Sequence, residues 1–206
     1  MNSTQILEKA QSVLINESKA VRALEAQIHA ESLERITQMI LDCPGHVLVA
    51  GAGTSRAVSV RFAHLLACCG TPALPINAAD ALHGSAGAIK AGDVVFVISK
   101  GGKSREINRF VEIAKNRGAT IIAQTEKPDS PLGLLSDAIY HIVAPADVDP
   151  YGMIATGSSL VNAAAGDVLC ALLLEKRGYT KEQFGVTHPE GAVGAILEQE
   201  KSKGHT

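Results

Sequence analysis

The sequence predicts a three-layer α/β/α sandwich built on a five-stranded parallel sheet, with a helical extension before it. Short apolar segments alternate with helical segments through most of the chain, and they are apolar on both faces. Strands have this pattern when helices cover both sides of a parallel sheet. The 206 residues show no internal repeat or linker, and this length suits one domain. The core must be aliphatic, because 46% of residues are hydrophobic while only 3% are aromatic.

The N-terminal region predicts two helices ahead of any strand. Apolar residues recur at three- and four-residue steps over residues 6–28, and a similar pattern continues over residues 31–41. This spacing places the apolar residues on one side of each helix. An extension of this kind often packs against a partner subunit, so it favours a homo-oligomer.

Strands and helices alternate after a break at Pro44-Gly45. The predicted strands cover residues 46–51, 73–76, 93–99, 119–125 and 138–144, and the predicted helices cover 55–69, 104–117 and 157–176, with a short helical turn over 132–135. A single domain therefore spans the chain. It comprises N-terminal helices over 1–42, the sandwich core and a C-terminal loop over 43–195, and a tail over 196–206.

Composition argues against several classes of partner. The net charge is −2 with acidic and basic residues interspersed, so no nucleic-acid or membrane surface is indicated. The four cysteines lack metal-binding spacing, and the N-terminus lacks the basic and apolar regions of a signal peptide. No apolar run reaches about 18 residues, the usual minimum for a membrane span. These features predict a soluble, reduced, cytoplasmic protein without a metal.

The first strand ends in the turn GAGTSR, which contributes Gly53, Thr54 and Ser55 to the carboxyl edge of the sheet. Ligands of open parallel sheets bind beyond that edge. A dinucleotide-binding turn would have a small residue in place of Arg56 and an acid at the end of the second strand, which here ends in Asn77. A nicotinamide cofactor is therefore disfavoured, and a tight structural turn remains an alternative.

The third strand ends in ISKGGKSRE, whose GGKS resembles the end of a nucleotide-binding P-loop. The first glycine of that loop is missing, because Val97 of the strand stands in its place. ATP is therefore disfavoured. Ser99, Gly101, Gly102 and Ser104, followed by a helix N-terminus, suit a single phosphate. The alternative is a solvated turn in which Ser104 only caps the helix.

The fifth strand leads to a second hydroxyl-rich helix start, formed by Thr156, Ser158 and Ser159. Two histidines, His83 and His188, lie in glycine-flanked loops, where functional residues concentrate. The other histidines are interpreted as structural or surface residues; they are His29, His46, His64, His141 and His205.

Taken in order, GAGTS, ALHG, SKGGKSREI, TGSS and THPEGAVG resemble motifs of the sugar isomerase (SIS) domain family. The resemblance covers about residues 5–195 and is nearest to the arabinose-5-phosphate isomerase branch, whose HPGGALG signature is similar to HPEGAVG here. It implies a flavodoxin-like topology and a stand-alone domain without the paired CBS modules of many relatives. It also implies a sugar-phosphate ligand, held by the third-strand loop with help from Ser55 and the TGSS helix start.

The resemblance further implies proton transfer through an enediol(ate), with no metal or organic cofactor. The enzymes it resembles are homodimers or homotetramers whose active sites are shared between subunits, and the histidine at position 188 is one of the shared residues. Three positions depart from that branch: Thr54 replaces a lysine, Lys103 replaces a glutamate, and Asp147 replaces a second glutamate. His83 and His188 match.

These residues suggest roles in an isomerase. His188 or His83 would be the base, Lys103 would stabilise enolate charge, and Asp147 would orient the histidine or bind hydroxyls. A non-catalytic sugar-phosphate sensor and a lyase or deaminase acting on phosphosugars are alternatives. The two loop histidines favour the isomerase, since a sensor has no need of both.

Overall fold

A computed structural model describes residues 1–203 of the chain. The strands are β1 (Val47–Gly51), β2 (Ala73–Asn77), β3 (Val94–Ile98), β4 (Thr120–Thr125) and β5 (Ala138–His141). The helices are α1 (Ser3–Arg22), α2 (Ala30–Leu41), α3 (Thr54–Cys68), α4 (Ala78–Ala81), α5 (Arg105–Asn116), α6 (Pro131–Leu135), α7 (Gly157–Arg177), α8 (Lys181–Thr187) and α9 (Gly191–Lys203). The predicted α/β class, parallel sheet and N-terminal helices are confirmed.

The sheet has the strand order β2-β1-β3-β4-β5, and every pair is parallel. The chain moves outward from β1 to β2 and then crosses to β3 on the other side of β1. This order is the flavodoxin-like one, and its ligand crevice lies where the direction reverses. Gly51 and Ile98 are paired at that point, so the loops that follow β1 and β3 begin side by side.

Alternate residues of the strands bury two separate apolar layers. Val49, Phe96 and Ile122 face a layer that contains buried residues of α2, α3 and α7. Leu48, Val95 and Ile121 face a layer that contains buried residues of α4, α5 and α6. Both faces of the sheet are therefore covered, which explains why the strands read as continuous apolar runs.

An aromatic contact joins the sheet to its first crossover helix. The rings of Phe62 in α3 and Phe96 in β3 lie 5.0 Å apart at 66°, an edge-to-face arrangement. Gly166 of α7 leaves room for this pair, because a Cβ there would lie 2.9 Å from the Phe62 ring. Three elements thus meet closely at one point of the core.

Helix α7 is long and apolar enough to cross a membrane by length and composition alone. In the structure it contacts α1, α2 and α3, and Val161, Leu169 and Leu173 are fully buried. These contacts are those of a core helix in a sandwich.

The structure differs from the sequence-based elements in several places, one of which is helix α8, where no helix was predicted. Strand β5 ends at His141 rather than at residue 144, because side chains bind the next amides: the Gln27 side-chain oxygen accepts from Val143 and the Glu126 carboxylate accepts from Ala144. Helix α4 lies where a loop was expected. Helix α9 begins within the expected loop and continues through most of the expected tail, of which residues 204–206 lie outside the described chain.

Candidate functional site

Five helices begin beyond the carboxyl ends of the strands. The Asn77 and Ser130 side chains cap α4 and α6. Helices α3, α5 and α7 have no side-chain capping bond from their own N-cap residues, which are Gly53, Ser104 and Thr156, although Asp149 accepts the Ser158 amide of α7. By contrast, α1 and α8 are closed by Asn2 and Thr180. Uncapped N-termini present free amides and a partial positive charge. The interpretation of Ser104 as only a helix cap is therefore not what the structure shows.

The loop after β3 turns its carbonyls inward. The Gly102 carbonyl accepts hydrogen bonds from the Leu132 amide and the Asn108 side chain. Gly102 has φ 61°, and a Cβ there would lie 2.0 Å from the Ser130 hydroxyl oxygen, so this position requires glycine. Within the described chain, the amides of residues 101–104 have no hydrogen-bond acceptor. A row of free backbone amides of this kind favours anions.

A small cavity, about 40 Å³, joins the exits of β1, β3 and β5. Its lining brings together four residues that the sequence singled out, and they are Thr54, Ser55, Ser158 and Ser159. Lys100 and Asn162 also line it. Hydroxyl groups, an amide and one ammonium thus surround a single space at the start of α3 and α7.

Lys100 is the charged residue of this cavity, and sequence reasoning missed it. Its Nζ lies 3.4 Å from Asp149 Oδ2 and 3.9 Å from Glu126 Oε1. The Asp149 side chain is only 3% exposed, and its Oδ1 accepts the Ser158 amide at 2.9 Å. Burial raises the pKa of Asp149, but hydrogen bonds from Ser158 and the charge of Lys100 outweigh it, so the pKa lies below its usual range. Asp149 is therefore a fixed anion.

The other predicted site residues lie outside the lining of that cavity, including Gly53, Thr156 and the loop residues Ser99, Gly101, Gly102 and Ser104. Lys103 is exposed and lines two surface clefts, one beside Leu82 and the other beside Glu126. Asp147 and His83 are exposed. The only available signal for Lys100 was its position directly after Ser99 at the strand end. The roles predicted for Lys103, Asp147 and His83 stay predictions.

His188 lies at the other end of the domain from the cavity. Its Nε2 is 3.5 Å from Cys68 Sγ, its Nδ1 is 3.1 Å from the Phe184 carbonyl oxygen, and its ring stacks on that of Phe184. Cys68 is the last residue of α3, and the cavity residue Thr54 is the first of its 15 residues, which places the two ends roughly 20 Å apart. Within one chain, the structure does not bring His188 to the cavity.

Several exposed apolar side chains are grouped on α1 and on the segment before α7. On α1 they are Ile6, Leu7, Leu14 and Ile15; before α7 they are Tyr151, Met153 and Ile154. Tyr151 has φ 56°, unusual for a residue other than glycine. Clusters of exposed apolar residues commonly mark protein contacts. Among the described residues, no group of three or more His, Cys, Asp or Glu side chains is arranged to hold a metal.

The fold and these loops define a doubly wound α/β domain with a glycine- and hydroxyl-lined crevice at the carboxyl ends of its strands. A family model described as the SIS domain matches residues 39–172, which is more than half of the 206 residues. The chain belongs to the SIS domain family.

Comparison with known proteins supports this assignment. The chain is 34% identical over 191 residues to arabinose 5-phosphate isomerase GutQ of Escherichia coli K12, an alignment that covers 89% of this chain and 60% of GutQ. It is 34% identical over 200 residues to arabinose 5-phosphate isomerase KdsD of Pseudomonas aeruginosa, covering 96% of this chain and 61% of KdsD. The chain thus spans about three fifths of the length of these relatives.

An Escherichia coli CFT073 protein solved in complex with arabinose 5-phosphate superposes on the structure with a TM-score of 0.87 and 28% identity. The alignment covers 92% of this chain and 100% of that one. The domain therefore matches a complete solved chain along nearly its whole length.

Proposed function

We propose that this protein binds a sugar phosphate and interconverts its aldose and ketose forms through an enediol(ate). The observation that carries the proposal is the pair of uncapped helix starts, those of α3 and α5, together with the free loop amides around the β3 exit. That arrangement suits a phosphate dianion, since it offers many donors without a metal. The relatives named as arabinose 5-phosphate isomerases and the homologous structure bound to arabinose 5-phosphate support the same ligand class.

The proposed site has a phosphate end and a reacting end. Ser99, Gly101, Gly102 and Ser104 hold the phosphate. The hydroxyl residues that line the cavity assist, and they are Thr54, Ser55, Ser158 and Ser159. Thr156, at the start of α7, assists from outside that lining. A base then removes a proton from the carbon next to the carbonyl, so that the C–H electrons form a C=C bond and the carbonyl oxygen becomes an enediolate oxygen. Returning the proton to the former carbonyl carbon, with a proton shift between the two oxygens, completes the isomerisation.

We further propose that a second copy of the chain completes each site. His188, the proposed base, lies roughly 20 Å from the cavity of its own chain. A neighbouring subunit can supply the same residue, and the exposed apolar face of α1 offers a surface for one. His83, Lys103 and Asp147 assist in the roles that the resemblance implies. The reaction needs no cofactor, and we place the protein in the cytoplasm.

We expect a homodimer or homotetramer in solution. Leu7 and Leu14 are 58% and 68% exposed on α1, so replacing both with Glu should lower the mass measured by light scattering. Lys9→Glu, on the opposite side of the same helix, is the matched control and should leave the mass unchanged. A monomeric mass for the parent protein at micromolar concentration would contradict both the oligomer and the shared site.

Replacing Ser104 with Ala should weaken sugar-phosphate binding by about 1–3 kcal/mol, because it removes a hydrogen bond to a charged group. Titration calorimetry against a panel of pentose and hexose phosphates measures the loss. Ser18→Ala is the control, since that hydroxyl lies on α1 and donates to the Ile15 carbonyl of the same helix. ATP should not compete for the site. Stronger stabilisation by ATP than by every sugar phosphate tested would show that the ligand class is wrong.

A non-catalytic sugar-phosphate sensor is the second candidate. One observation favours it: within a single chain, His83 and His188 lie outside the lining of the cavity. The two candidates differ in whether the bound sugar phosphate exchanges its α-hydrogen with solvent deuterium. Exchange supports the isomerase, and binding without exchange for every ligand in the panel supports the sensor.

A further inference from the structure

The cavity contains a cation at a position that the family resemblance does not assign. Lys100 lines a space that is also lined by the hydroxyl residues Thr54, Ser55, Ser158 and Ser159. The Lys100 side chain is 42% exposed, so it is not enclosed by the protein and a ligand can reach it. Thr54 stands where the resemblance expects a lysine, which leaves Lys100 as the lysine that lines this cavity.

Lys100 is held in place at both ends. Its carbonyl accepts hydrogen bonds from the Glu126 amide and the Thr125 hydroxyl, each at 3.1 Å. Its ammonium bonds Asp149, and Asp149 in turn accepts the Ser158 amide at the start of α7. The exit of β4 therefore fixes the Lys100 backbone, and Asp149, bound to the start of α7, orients its side chain. A cation held in this way loses little freedom when a ligand binds, and that favours affinity.

The charges around Lys100 leave it able to attract an anion. Asp149 caps α7, so part of its negative charge is balanced by the helix N-terminus. Glu126 is more distant, at 3.9 Å, and its Oε1 also accepts the Ala144 amide. The ammonium carries three donors, and these two carboxylates occupy at most two of them. A donor remains for the cavity.

We propose that Lys100 contacts the phosphoryl oxygens of the bound sugar phosphate and that Asp149 is its positioning residue. This inference rests on the proposed function, since it assigns the cation of the same site. It differs from the expectation drawn from the sequence, in which the cation was Lys103. Lys103 is exposed on the outer clefts, whereas Lys100 lies among the hydroxyls of the cavity.

The test measures the affinity of Lys100→Met and Lys100→Arg for arabinose 5-phosphate and for inorganic phosphate by calorimetry. Lys100→Met should weaken both by about 10- to 100-fold, and Lys100→Arg should recover most of the loss. The control is Lys115→Met. Lys115 has a similar exposure of 43% and a comparable ion pair, 3.2 Å from Asp137, but it lies near the C-terminal end of α5, away from the cavity. The Lys115→Met variant should bind both ligands with the same affinity as the parent protein.

Affinity of Lys100→Met within about threefold of the parent would overturn the assignment. A parent protein that binds inorganic phosphate but no sugar phosphate would instead refute the proposed function, and the phosphate titrations would still decide the role of Lys100. A parent that binds neither ligand refutes both.

Asp149→Asn tests the positioning role. Asparagine can still accept the Ser158 amide, so α7 keeps its cap while the ion pair is lost. We expect weaker binding in the single variant and little further loss when it is combined with Lys100→Met, because the two residues act through one contact. Additive losses would show that Asp149 acts on the fold rather than through Lys100. If Asp149→Asn does not fold, as judged by circular dichroism, the Lys100 variants alone decide the assignment of the cation.

Discussion

Replacing His188 with Asn is expected to lower turnover of the sugar phosphate by about 100- to 10,000-fold, the usual effect of losing a positioned base. Phosphate affinity should change little, because the proposed phosphate contacts are the loop amides and hydroxyls at the strand exits, and the proposed role of His188 is at the reacting carbons. The imidazole lies between Cys68 Sγ and the Phe184 carbonyl oxygen, and it stacks on the Phe184 ring. It is therefore positioned before any substrate binds.

His64→Asn is the matched control for this variant. Its imidazole also lies beside Cys68 Sγ, at 3.6 Å, but it is exposed on α3 and has no proposed role. Turnover and exchange of the substrate α-hydrogen for solvent deuterium should both fall in His188→Asn and stay at the parent level in His64→Asn. Unchanged exchange in His188→Asn would exclude this residue as the base and make His83 the candidate.

Replacing Phe96 with Ala is expected to destabilise the fold by about 3–5 kcal/mol. Phe96 is fully buried at the centre of the sheet, and its ring meets Phe62 edge-to-face. Truncation would leave a cavity between β3, α3 and α7, since the close approach of α7 at Gly166 is built around this pair. Domains are stable by only about 5–15 kcal/mol in total. The loss is measured by urea denaturation.

Leu134→Ala provides the comparison, because Leu134 is 77% exposed and its truncation should change the free energy of unfolding by less than about 0.5 kcal/mol. A free energy of unfolding for Phe96→Ala within about 1 kcal/mol of the parent value would contradict the packing described for the core.

The fold could be predicted from the sequence because strands buried on both faces are apolar at nearly every position. Segments such as VVFVI are apolar at every position, so they identify buried parallel strands without further information. Helix α9 could not be predicted in this way. Gly191 and Gly194 suggested a loop, but Gly191 takes φ 72° as the helix begins and Gly194 packs against the Pro189 backbone. Glycine composition alone does not distinguish these uses.

The candidate site was predicted in part. The hydroxyl-rich strand exits converge because parallel strands end at one edge, and that rule needs only the order of elements. The choice between Lys100 and Lys103 depends instead on Asp149, which is 49 residues away from Lys100 in the chain. The absence of a capping hydrogen bond from the Ser104 hydroxyl to α5 also depends on the path of the loop. Contacts between residues that are far apart in the sequence produce no local sequence pattern, so the structure is needed to identify them.

The packing of α1 and α2 on α7 has a consequence for the folding of the chain during its synthesis. The Gln27 side chain exchanges hydrogen bonds with the Val143 backbone, 116 residues later, and α1 and α2 contact α7. Ribosomes add about 5–20 residues per second, so α7 is synthesised on the order of ten seconds after α1 and α2. During that time these helices lack their contacts with α7, although the folded domain buries Leu24, which follows α1, and Ile36 and Ile40 of α2. Those helices leave the ribosome first, yet they are among the last parts of the molecule to reach their final contacts. A nascent chain interrupted before α7 would therefore carry an amphipathic pair of helices that lacks a large part of its packing surface, although α2 can still contact β5.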